Sequence, residues 1–325
     1  MAKIELSSGM KIRTFPRPPK GFDVLSSSPR DLARYGCPLR PDETSPDLLR
    51  AWRRGIASAR HYVEPMFVER PDLNTRCPKA LKKKPSPEQE FTQRLGALPI
   101  GHRFSDNWTG AVVAPPAGKQ FTWASGTFTV PNLQPPAVDG NVYRSSAWVG
   151  IDGAPWLGAT STDLIQGGVA LHVVDFGAGK IVHILPWFEW LPANAVQIYN
   201  FPVDPGDSVS VLVCVNVAGN SAGIYYTNHV NGAYTSIDVS LPSGAAFVGD
   251  CAEFIVEKQP KADLPIFAPI YFSDIRAGQG DFPFFTSTNG GTGIIVDILD
   301  PAGNILAYTR PDNDTLVHTN YGSPV

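Results

Sequence analysis

Cysteine and methionine are scarce in this chain, with four and three residues in 325. The cysteines, Cys37, Cys77, Cys214 and Cys251, form no CxxC or Cys/His spacing, which excludes zinc ribbons and dithiol redox motifs. A disulfide within either half stays open. The six histidines are scattered, without an H-x-H or HExxH arrangement, so neither a metal nor a cofactor is expected. No stretch approaches the roughly 20 apolar residues of a membrane span. The opening MAKIELSSGMKIRTF lacks the apolar core of a secretory signal, so a membrane partner is not expected and the compartment stays unknown.

Proline and glycine are abundant, at 31 and 30 residues, and 43% of the chain is apolar. That is enough for a substantial core, and it favours short strands joined by turns over a helical bundle. From Asn107 onward, stretches such as FTWASGTFTV, RSSAWVGI, LIQGGVALHVVDF, KIVHILPWFEW and DSVSVLVCVNV follow one another. They are short, rich in β-branched and aromatic residues, and bounded by Gly, Pro, Asn or Asp. Roughly ten strands at this spacing, without intervening helices, predict an all-β antiparallel sandwich or barrel.

Charge divides the chain. Residues 1–100 carry 19 Lys and Arg against 11 Asp and Glu, a net +8, and hold 13 of the 31 prolines. Residues 101–325 carry 8 against 19, a net −11. The division predicts a basic, Pro-rich, mostly irregular and partly helical extension over 1–100 and a β body over 101–325. In the extension, SPRDLARYG predicts a helix capped by Ser28 and stopped at Gly36, and SPDLLRAWRRGIASARHYV a second over 45–63 with Leu48, Leu49, Trp52 and Ile56 on one face. KALKKKPSPEQE, 79–90, reads as an exposed linker.

The pentapeptide GNSAG, 219–223, fits the G-x-S-x-G nucleophile elbow. That chemistry needs a strand, a strained turn and a helix. Here both flanks read as strands, so a hairpin turn is the expectation for Ser221. More informative are polar residues inside strands, where alternation assigns faces. In DCAEFIVE, Cys251, Glu253, Ile255 and Glu257 oppose the apolar set; in DLIQGGVAL, Leu164, Gln166 and Gly168 do; in HILPWFEWLP, Leu185, Trp187 and Glu189 do. These faces either meet solvent or form a groove, and alternation alone does not choose.

NWTGAVV, SGTFTVPNL, SAWVGIDG, LIQGGV, WFEWLP and AEFIVE resemble, in order and approximate spacing, the elements of the glutamic peptidases, the eqolisins of peptidase family G1. The resemblance runs from residue 107 to about 310. Membership implies two large antiparallel sheets in a lectin-like (concanavalin A) sandwich, whose concave face binds an extended polypeptide. It implies acid endopeptidase activity by a catalytic Gln166 and Glu253, with Trp148, Asp152, Trp187 and Glu189 lining or supporting the groove. No metal, cofactor, nucleic acid or membrane is implied, and a monomer is expected. Segments like GFDVLSSSPRDLARYGCPLRP are similar to those that accompany some bacterial homologues.

In this reading Glu253 takes a proton from water and returns it to the leaving amine, while Gln166 orients the water and stabilises the oxyanion. The basic extension is expected to be a prosegment or lid, held to the acidic body at neutral pH and freed as carboxylates protonate. The alternative is a catalytically silent, lectin-like module that binds peptide or carbohydrate.

Overall fold

A computed structural model describes residues 3–81, 101–154, 162–279 and 292–323, with the backbone of 94–95, 98–99 and 284–285. Beyond Leu81, the expected linker over 79–90 lies outside the described residues.

The expected strands form two large antiparallel layers. One sheet runs in spatial order through Phe67–Glu69, Val196–Ile198, Lys180–Trp190, Ile165–Asp175, Tyr143–Ile151, Ala252–Lys258, Trp108–Ala114 and Thr292–Leu299. The other runs through Lys11–Thr14, Ala233–Ser240, Ser221–Asn228, Ser208–Asn216, Trp123–Thr129, Ile270–Gly278, Leu316–Tyr321 and Ile305–Asn313. Ile305–Asn313 also pairs with Thr292–Leu299, which joins the layers at one edge.

Alternation produces this packing. Val149, Ile151, Ile165, Val169, Phe188 and Phe254 from the first sheet meet Val211, Val213, Ile224, Tyr226 and Phe272 from the second in one core. The opposite side of the first sheet carries a separate apolar cluster that includes Trp108, Trp148, Trp187 and Ile255. Both faces of this sheet are therefore buried, and the second one holds the polar residues that alternation set apart from the core.

GNSAG lies in the hairpin between Ser208–Asn216 and Ser221–Asn228, with Ser221 opposite Asn216, as its flanks predict. No disulfide forms; all four cysteines are free thiols.

The first helix, Pro29–Arg34, is capped by Ser28, whose hydroxyl accepts from Asp31 N at 3.1 Å, and Gly36 beyond it takes φ +70°. The second is shorter than its pattern predicts and spans Pro46–Ile56. The sheet takes over the chain after it: Arg60 and His61 donate to the Gly232 carbonyl, and His61–Tyr62 pairs with Ala233–Tyr234. The apolar stripe, through Trp52, Ile56 and Leu49, packs with Tyr225 and Tyr234 on the outside of the second sheet. Residues 3–81 thus add strands to the edges of both layers, at Ala233–Ser240 and at Val196–Ile198.

Two glycines show how close the site sheet is packed. A Cβ on Gly168 would lie 2.1 Å from the Ala147 carbonyl oxygen and 2.5 Å from Trp148 Cβ. At Gly223, in the second sheet, the nearest atom would be 3.9 Å away. Gly168→Ala is therefore expected to cost about 3 kcal/mol, and Gly223→Ala under about 1 kcal/mol, in urea unfolding. Equal midpoints for the two variants would refute this account of the packing.

Candidate active site

Strand register alone brings the central residues together. Gly150 stands opposite Gln166 on one side and Glu253 on the other, and Gln166 stands opposite Glu189. A single row across four strands therefore reads Glu189, Gln166, Gly150, Glu253. Neighbouring strands lie about 4.8 Å apart, so the Cα atoms of Gln166 and Glu253 are separated by about 10 Å, with a residue lacking a side chain between them. A Cβ on Gly150 would meet the Trp148 ring at 2.9 Å and the Ile165 carbonyl oxygen at 3.1 Å. The Trp148 ring and the Leu164 side chain therefore fill the space directly above Gly150, and a side chain at this position would displace them.

The next row reads Trp187, Gly168, Trp148, Ile255. Trp108 packs edge-on against Trp148, with ring centroids 5.0 Å apart. These indoles wall the row of polar residues with apolar surface, and Gln166, Glu189, Glu253 and Glu257 are all fully buried.

Burial without full pairing is costly for charged groups, and it shows in their protonation. Among the described residues, the Gln166 Oε1 atom and both Glu253 carboxyl oxygens have no hydrogen-bond partner. Burial pushes Glu253 well above the ordinary carboxylate range, and nearby Asp152 and Asp250 add to the rise; only the Cys251 thiol works the other way. Glu189 is pushed up to about 7, again by burial, against hydrogen bonds from Thr75 and Gln166 that favour its charged form. Glu257 is pushed up to about 8, by burial and by the charge of Glu189.

Asp152 is placed apart from this row. Its carboxylate accepts from the backbone N–H groups of Val248, Gly249 and Asp250 at 2.9–3.0 Å. It fixes the turn that leads into the Glu253 strand and does not line the row. Asp152, Asp250 and Cys251 offer ligand atoms within 4.8 Å of one another, but the oxygens of Asp152 are committed to those amides.

This sheet-borne constellation lies inside the part of the chain that known families describe. Residues 106–321 match the Peptidase A4 family. The chain belongs to that family, the glutamic peptidases or eqolisins. Aspergillopepsin-2 of Aspergillus niger is 26% identical over 259 residues, covering 72% of this chain and 84% of the relative. Scytalidopepsin B of Scytalidium lignicola is 28% identical over 151 residues, 46% of this chain and 51% of that protein. Among solved structures, scytalido-glutamic peptidase with a transition state analog inhibitor aligns with a TM-score of 0.53 and 22% identity, over 66% of this chain and 98% of that one. This Peptidase A4 member is a hydrolase of the peptidase class.

The family match starts at residue 106, yet residues upstream of it reach the row. The Thr75 hydroxyl donates to Glu189 Oε2 and accepts from Gln166 Nε2, and the Thr75 N–H donates to Glu189 Oε2 at 3.2 Å. Gln166 Nε2 also donates to Glu189 Oε2 at 2.9 Å. Glu257, to which sequence reasoning assigned no role, accepts from Trp148 Nε1 at 3.1 Å, Asn107 Nδ2 at 3.0 Å and Arg76 N at 3.4 Å. Alternation in AEFIVE already put Glu257 on the face of Glu253. Nothing local to LNTRCP marked Thr75, because its partners lie 91 and 114 residues away.

The raised carboxyls link folding to pH. A group whose folded pKa exceeds its unfolded value takes up a proton on folding. Its contribution is complete below the unfolded pKa, 4.5 for Glu, and is lost as pH rises through the folded value. With Glu189 at about 7 and Glu257 at about 8, the full chain is expected to lose stability between about pH 4.5 and pH 8. A shift of this size is worth about 3 kcal/mol for Glu189 alone. Thermal unfolding in that window checks it, and Glu189→Gln should flatten the slope; a stability that rises toward pH 8 would contradict the assignment.

Proposed function

We propose that this peptidase cleaves polypeptides bound in an extended conformation, in acid, by a Gln166/Glu253 dyad that activates water. The observation that carries the reading is the pair of polar groups, Gln166 Oε1 and the Glu253 carboxyl, that have no hydrogen-bond partner among the described residues and stand in one row on either side of Gly150. Unpaired polar atoms in a buried place are expensive, and an amide and a carboxyl that share one row of a sheet are a combination suited to holding a reacting water.

In the forward direction, the Glu253 carboxylate removes a proton from a water held between it and Gln166 Oε1. The water oxygen attacks the scissile carbonyl carbon, and the oxyanion is stabilised by an N–H of Gln166. Glu253, now protonated, passes the proton to the amine nitrogen as the C–N bond breaks. Glu189 acts as a positioning residue: by accepting one Nε2 hydrogen of Gln166, it fixes which way round the amide is held.

Digestion of a denatured protein substrate from about pH 2 to pH 7 tests the reading. Glu253→Gln is expected to lower kcat about 10³-fold and Gln166→Ala about 10²-fold, with Ser221→Ala unchanged. A wild type that binds peptide but cuts nothing at any pH would instead support the lectin-like module.

A further inference from the structure

We propose that residues 70–80 are a built-in inhibitor whose Thr75 hydroxyl occupies the Gln166 N–H needed by the oxyanion; the proposal rests on the dyad reading above. An amide NH₂ has two hydrogens. Here one goes to Glu189 Oε2 and the other to Thr75 Oγ1, so neither remains for a tetrahedral intermediate. The Thr75 hydroxyl, accepting from Gln166 and donating to Glu189, fits between them as a bolt.

The rest of the segment carries Thr75 across the sheet from edge to edge. At one edge, Arg70 N donates to the Ala195 carbonyl at 2.8 Å, and Asn74 Oδ1 accepts from Ala195 N at 2.9 Å. Leu73 is fully buried in the same cluster as Trp148 and Trp187. Beyond Thr75, the Arg76 carbonyl accepts from Asn107 Nδ2 at 3.2 Å, and the Cys77 thiol donates to the Thr162 carbonyl at 3.1 Å. At the far edge, Lys79 N donates to Asp106 at 3.0 Å, and Ala80 pairs with Ser105. The span from Val196–Ile198 to Gly101–Ser105 is seven strand spacings, about 34 Å, and the segment crosses it by a 3-10 turn over Pro71–Leu73 followed by non-helical chain from Asn74 to Ala80.

The strap runs as a bound peptide would. Successive N–H groups of an extended chain point to opposite sides, and those of Thr75 and Arg76 reach Glu189 and Glu257, on strands at either flank of the Gln166–Gly150 pair. Yet its groups leave Gln166 Oε1 and Glu253 untouched. It occupies the path while its peptide bonds stay off the reacting atoms, which is the behaviour of an inhibitor and not of a substrate.

The test compares full-length wild type with Thr75→Val, which keeps the shape and removes the hydroxyl, and Thr75→Ser, which keeps the hydroxyl. Each is examined by hydrogen exchange over 70–80, by fluorescence anisotropy of a fluorescein-labelled extended decapeptide, and by cleavage of that peptide. Thr75→Val is expected to bind the probe at least about tenfold more tightly, to cut it at least about tenfold faster, and to exchange faster across the strap only; Thr75→Ser should behave as wild type. Tighter binding in Thr75→Val without cleavage by any variant would keep the strap and sink the dyad reading. Wild type that binds and cuts as well as Thr75→Val, or equal effects of Val and Ser, would overturn the proposal.

Discussion

The double pairing of Gly150, with Gln166 on one side and Glu253 on the other, is the constraint on which the rest of the site depends. A sheet places residues in rows perpendicular to its strands, and one residue of slip would turn every side chain of a strand to the other face. Register here is held by the core side of the same strands: Val149, Ile151, Ile165, Phe188, Ala252 and Phe254 are buried between the layers. The hydrophobic packing that stabilises the fold therefore also fixes, at no separate cost, the distance between the amide and the carboxyl. Gly150 lets the Trp148 ring and Leu164 pack directly onto the strand between them, because a Cβ there would collide with both.

Burial on the second face of that sheet changes what the carboxyls can do. Exposed, Glu253 would be an ordinary carboxylate with a pKa near 4.3 and would be ionised through most of the acid range. Fully buried, and beside Asp152 and Asp250, it is pushed well upward. A protonated Glu253 is no base for water. If the proposed dyad does the chemistry, the covered arrangement opposes it twice: both Gln166 N–H groups are engaged, and burial disfavours the charged form of Glu253.

Much of the fold could be read from local pattern. Period-two alternation in DCAEFIVE, DLIQGGVAL and HILPWFEWLP placed Glu253, Gln166 and Glu189 on the side away from the core because alternation is a property of a single strand. Which of those strands lie side by side is not local, so the row through Gly150 was beyond its reach, and the family resemblance supplied what pattern could not. Helix signals told where the second helix begins, at Ser45 and Pro46, but not where it ends, since the edge of Ala233–Ser240 captures the chain at Arg60 and His61. Asp152, which the resemblance set among groove or supporting positions, sits on the supporting side. Thr75 left no trace in sequence at all: a threonine in a Pro-rich stretch has no periodicity to betray it.

The charge division of the chain takes on a narrower meaning beside the strap. Arg13–Asp238, Arg54–Asp274 and Arg76–Asp106 do pair the basic extension with the acidic body, but all three are partly exposed, and such pairs contribute under about 1 kcal/mol each. Acid weakens them. The buried carboxyls under the strap work in the opposite sense. Glu189 and Glu257 have raised pKa values while covered, so uncovering them releases protons, and a low proton concentration favours release. Acid therefore loosens the rim while it holds the centre, and protonation by itself does not unlatch Thr75. A strap tethered at both ends acts on its groove at an effective concentration of the order of millimolar, and only cuts on both sides of it would turn that intramolecular ligand into a short free peptide.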